Sequence, residues 1–183
     1  GKKAKVVNNG SQLDVEMIYP DNFADVVFMQ NYVNPVDKVE YYPDTTTGKV
    51  SEAKAAMAPD RVYFQTPMAS RANIISTMSV SEGKPTTFTK TEGNGYIKLT
   101  VDDDDENTVI YIRTTDSGSV TTKEGYMFDA TALVQSNSTF MMENGTSLTK
   151  SGSVIDKSNE PFTLVMGKGQ MSISANNDVT VKI

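Results

Sequence analysis

The chain has 183 residues, with Lys plus Arg at 17 against Asp plus Glu at 23, for a formal net charge of −6. That balance repels phosphate and sulfate at long range and argues against nucleic acid as a partner. The sequence contains no cysteine and no histidine, which excludes a disulfide framework, a cysteine–zinc site and any histidine-based acid–base or metal chemistry within the chain. No apolar stretch approaches the roughly 20 residues of a membrane helix, so no membrane span is expected. The chain opens on Gly1 and not on Met; the expectation is a processed or truncated product, or a tag remnant at Gly1.

Strand signals run from end to end. "QLDVEMIY" sets Leu13, Val15, Met17 and Tyr19 on one face and Asp14 and Glu16 on the other, the alternation of a half-buried strand. "DVVFM", "KVEYY", "RVYFQT", "NIISTMSV", "TTFTK", "YIKLTV" and "TVIYIRT" follow in the same manner. The last third continues with "YMFDATALVQ", "TFMMEN", "SLTK", "SVID", "FTLVMG", "QMSISA" and "VTVKI". Residues tolerant of positive φ separate many of these runs: "NNG" at 8–10, "EGNG" at 92–95, "ENG" at 143–145, "GKG" at 167–169 and "ANN" at 175–177. Turn signals about every 8–12 residues point to an all-β fold, an antiparallel β-sandwich of two-layer or supersandwich-like form. The only helical candidate is "SEAKAAMA" at 51–58, stopped by Pro59. It lies within 41–60, a stretch poor in strand signals that reads as a long surface loop or joint inside one domain spanning 1–183.

The most charged stretch is "VDDDDENTVIYIRT", 101–114. Calcium is the cation such a run could hold, through Asp102 and Asp104, which share a face if the run is extended. The run lacks the alternate-acid spacing, central glycine and distal glutamate of an EF-hand loop. Alternating strands flank it on both sides, so its expected role is a solvated hairpin end. No cofactor is otherwise implied. No phosphate-binding glycine loop, nucleophile elbow or metal-binding helix is present in the sequence.

Aromatic and cationic residues offer binding candidates. Of the eight tyrosines, Tyr96 and Tyr111 read as fillers of strand faces. Tyr41 and Tyr42 are adjacent, so on a strand one must face outward, where it could stack on a sugar ring. Arg71, in the loop "PMASRAN", could meet an acidic sugar or another domain. Met141 and Met142 are likewise adjacent and cannot both face inward, which nominates them for a domain interface.

The order of several segments resembles the C-terminal β-sandwich of heparinase II/III-like polysaccharide lyases. "SQLDVEMIYPDN" looks like that family's strand and proline turn, and "RVYFQTPMASRANIISTMSV" like its strand–turn–strand. "YMFDATALVQSNSTFMMENGTSLTKSGSVI" is similar to its closing pattern, carried here by Asp129, Ala130, Leu133, Val134, Phe140, Gly145, Thr146, Ser147, Leu148 and Gly152. The resemblance implies a sandwich that packs against a helical toroid holding most of the catalytic groups. This chain has no histidine, so no catalytic role carries over. The resemblance therefore implies a noncatalytic module of an exported polysaccharide-degrading protein, periplasmic, cell-surface or secreted, or a free-standing relative without catalysis. Its partner would be another domain of the same protein or a polysaccharide. An independent carbohydrate-binding module and a structural or adhesin-type β protein are the alternatives, and an enzyme complete in itself is disfavoured by the missing chemistry.

Overall fold

The computed structural model describes residues 2–21, 25–29, 61–65, 73–84, 86–103 and 106–182. The described chain is all-β and antiparallel, and it divides into two compact units, Gly1–Pro85 and Thr86–Ile183.

The first unit contains β1 (Lys2–Asn8), β2 (Ser11–Tyr19), β3 (Asp25–Met29), β4 (Arg61–Gln65) and β5 (Ile75–Ser81). Strands β1, β2 and β5 form a three-stranded sheet in that order, and β3 pairs with β4. The turn between β1 and β2 uses Asn9 at φ 49° and Gly10 at φ 88°, the two positive values that a tight hairpin matched to strand twist requires. Directly paired residues project to the same side of a sheet. One face therefore carries Ala4–Val15–Met78 and Val6–Leu13–Val80, and the other Lys3–Glu16–Thr77 and Lys5–Asp14–Ser79. Lys3 Nζ lies 3.0 Å from Glu16 Oε2 on the polar face.

The second unit holds β6 (Thr87–Gly93), β7 (Tyr96–Asp103), β8 (Glu106–Arg113), β9 (Val120–Thr121), β10 (Tyr126–Phe128), β11 (Ala132–Gln135), β12 (Thr139–Lys150), β13 (Ser153–Gly167), β14 (Gln170–Ala175) and β15 (Val181–Lys182). The main path runs β14-β13-β12-β11-β8-β7-β6, with β9, β10 and β15 attached beside β12 and β13. The two long strands make the fold sandwich-like. Residues Thr139–Met142 of β12 pair with Val165–Gly167 and Leu164 of β13 and, on the other side, with β11. Residues Leu148–Lys150 pair instead with Ser153–Asp156 and with β10. The register shifts at Met142/Gly145 and Gly145/Ser147 between these halves, and again at Leu148/Thr149 within the second. Such bulges bend a strand and raise its twist, which lets a single sheet turn a corner and close over its own apolar face. One core results, in which Phe128 and Leu148 from beyond the corner meet Tyr111, Leu133, Met142 and Leu164 from before it.

"ENG", expected as a turn, thus lies inside β12: Asn144 has φ 50°, but it serves the bend and not a hairpin. The hairpin falls instead at Ser151 and Gly152, with φ 52° and 84°. The helical candidate at 51–58 and the stretch 41–60 lie outside the described residues.

Candidate functional site

Two segments about 15 residues apart in sequence meet at the β12 corner. Asp129 leaves β10 with its backbone N–H donating to Ser147 O at 3.3 Å. Its Oδ1 accepts the N–H of Thr146 at 2.8 Å and of Ser147 at 3.0 Å, and its Oδ2 accepts the Thr146 hydroxyl. The bulge leaves these backbone donors without ladder partners, and a carboxylate is the strongest acceptor for them. Gly145 completes the lock. A Cβ there would stand 2.6 Å from the Ala130 Cβ and 2.8 Å from its Cα. The "DA" and "GTS" residues therefore form one corner clamp, and their role in this fold is architectural.

Beyond the corner, β13 carries a second irregularity. Thr149 pairs with Val154 and Leu148 with Asp156, so Ile155 is an extra residue in the strand. A bulge of this kind lets neighbours turn to the same side: Ile155 packs on the core, and Asp156 is fully buried. Neither carboxylate oxygen of Asp156 has a hydrogen-bond partner. Burial pushes its pKa up to about 6, the Lys157 backbone N–H draws it down without reaching hydrogen-bond geometry, and the Asp129 carboxylate raises it further.

A ladder of tyrosines borders the same core. The rings of Tyr96 and Tyr111 are 6.1 Å apart, and those of Tyr111 and Tyr126 are 5.8 Å apart, all tilted, the arrangement that aromatic quadrupoles favour. All three are buried, so they offer no sugar-stacking platform. Their hydroxyls are held by polar neighbours: Tyr96 accepts the Lys123 N–H at 3.2 Å, and Tyr126 donates to Gln135 Oε1 at 2.9 Å while accepting from Lys150 Nζ at 3.0 Å. Lys98 pairs with Glu124, and that hydrogen bond holds the Glu124 carboxyl below its usual range. Burial and the Glu124 charge push the Tyr111 hydroxyl well above its usual range, so it stays protonated at neutral pH.

The outer face of the main sheet is apolar as well, and Ile97, Leu99 and Ala132 on it are buried within the chain. Leu99, Ile110, Val134, Met141 and Val165 lie opposite one another in a row across β7, β8, β11, β12 and β13. Ile97, Ile112 and Ala132 form the next row, which ends at Glu143. Exposure increases along the first row: Leu99 is buried, Ile110, Val134 and Met141 are half-buried, and Val165 is exposed. At that end a shallow groove of about 260 Å³ is lined by Thr139, Val165, Lys168, Gln170, Met171 and Ser172.

The residues nominated from the sequence are dispersed. Tyr41, Tyr42, Arg71 and Asp104 lie outside the described residues. Asp102 is exposed on β7 opposite Asn107, and the ladder of β7 with β8 continues to Asp103–Glu106, so the described part of the acidic run stands at the end of that paired ladder. Among the described residues no three metal-capable side chains cluster, and no helix is long and apolar enough to cross a membrane. Met142 requires a correction: it is wholly enclosed in the unit's own core, because its position in β12 faces Leu133 and Leu164, and it is closed to a partner domain. Met141 alternates to the outer face. Asp156 escaped the sequence reading, since "SVID" gives no sign of the bulge that turns it inward. No protein-family model matches the chain, and no curated protein matches it at a significant level.

Proposed function

We propose that the chain is a noncatalytic β-sandwich module of an exported polysaccharide-degrading protein of the heparinase II/III-like kind, and that it docks on another domain of that protein. The observation that carries this reading is the outer row Leu99–Ile110–Val134–Met141–Val165. An antiparallel sheet with one free face alternates apolar with polar. This sheet encloses a core on one side and carries a second aliphatic row on the other, buried at Leu99, half-buried from Ile110 to Met141 and exposed at Val165, so the Met141–Val165 end is the part a partner domain would cover. The absence of histidine, the buried tyrosines and the net negative charge all favour a supporting role over substrate cleavage, because lyase chemistry on uronates needs cations or donors at the developing carbanion.

A blot of the source cells with an antibody to this chain tests the reading. The expected band is far larger than 20.0 kDa, and the purified chain is expected to leave uronate-containing polysaccharides intact. A native band near 20.0 kDa, or robust cleavage by the chain alone, overturns it.

A further inference from the structure

Asp156 has no part in the corner clamp and none in the outer face. It lies in a cross-strand row with Leu148 and Phe128, and all three side chains have zero exposure. A carboxylate deprived of water must be neutralised by a partner, a cation or a proton. Among the described residues, the only nearby group that favours its charged form is the Lys157 backbone N–H, which does not reach hydrogen-bond geometry. From the β10 end comes Asp129, whose two oxygens already accept hydrogen bonds from three donors at the corner. From β12 come Leu148 directly opposite and Thr146, whose hydroxyl is committed to Asp129. On β13, Lys157 is exposed, and the Ser158 hydroxyl donates to Glu160 O at 2.8 Å. Strand β15 pairs with Lys157 and Ser158 through its backbone, and Val179 before it adds only apolar contact to the core. Two apolar neighbours in the row and a nearby fixed anion both favour the proton as the neutralising species.

We propose that Asp156 is a proton-sensing residue at the core of the second unit: neutral, it lets β13 close on β12 beyond the corner, and ionised beside the fixed Asp129 carboxylate it loosens that closure. The site binds one proton and needs no other ligand. The consequence is a module that packs most tightly in mildly acidic surroundings.

The test uses the full chain and its Asp156→Asn variant. Urea midpoints are measured from about pH 4 to about pH 8, and the Asp156 carboxyl carbon is followed by NMR in the wild type. The expected result is that the wild-type unfolding constant rises about 100-fold relative to the variant's across that range, as the carboxyl titrates from 3.8 unfolded to about 6 folded. Amide protection at Lys157 and Ser158 should fall over the same interval in the wild type alone. Parallel profiles for the two proteins overturn the proposal, as does a carboxyl carbon that titrates like a surface aspartate. If the variant does not fold, the carboxyl titration decides alone. Calcium chloride that raises the wild-type midpoint at about pH 8 and leaves Asp156→Asn unmoved would also overturn it, by showing that a cation and not a proton is the neutralising species.

Discussion

Gly145 and Asp129 show how much of this fold hangs on single residues at one bend. With the Ala130 Cβ 2.6 Å from where a Gly145 Cβ would stand, Gly145→Ala must push β12 away from the Asp129–Ala130 segment. The expected cost is about 1–3 kcal/mol, read as a lowered urea midpoint with an unchanged slope. Asp129→Ala removes the acceptor of two backbone N–H groups and one hydroxyl, and the expected loss is about 2–3 kcal/mol, since hydrogen bonds to a charged acceptor exceed neutral ones. Thr146→Val removes only the hydroxyl donor and should cost less than Asp129→Ala in the same assay. Asp156 acts in the opposite sense. Its folded carboxyl binds the proton more tightly than the unfolded one, so its contribution is whole below about pH 4 and is lost as pH rises through about 6. The shift from 3.8 to about 6 corresponds to about 3 kcal/mol at most. Neither the clamp nor the buried acid was legible beforehand. The residues of the clamp stood out in the sequence as a pattern, but their purpose depends on a bulge that brings Gly145 against Ala130.

At the scale of strands, alternation decides which of two neighbours is core. Met142→Ala should cost about 2–5 kcal/mol, because a fully enclosed side chain leaves a cavity. Met141→Ala, on the half-buried outer face, should cost clearly less, and a pair of urea melts compares the two. The runs "YIKLTV" and "TVIYIRT" were readable as a hairpin because period-two alternation survives local context, and β7 and β8 pair residue for residue up to Asp103–Glu106. Strands β12 and β13 were harder. Each reads as two short strands, because Asn144–Gly145 and the stretch before Phe162 look like turn chemistry. Both are continuous, since pairing with each other on both sides of the corner outweighs local preference for a turn. The converse holds for "YMFDATALVQ", which breaks at Asp129 into β10 and β11 because the carboxylate is needed at the clamp.

At the scale of the molecule, the second unit has its own closed core, from Tyr96 to Leu164. A fragment of residues 86–183 is therefore expected to unfold cooperatively by itself, with coincident circular-dichroism and tyrosine-fluorescence transitions; non-coincident transitions would show that it depends on the first unit. Residue identity alone determined the class of this protein: all-β from its alternation and turn residues, acidic, and without thiol or imidazole chemistry. These are properties of composition and of a short period, and both persist whatever the strands later pair with. Only the tertiary structure decided which face of the main sheet is inner, that Met142 is enclosed while Met141 joins an outer apolar row, and that an aspartate stands in the core. Each of these depends on register, and the bulges in β12 and β13 shift register by amounts that no local sequence signal carries.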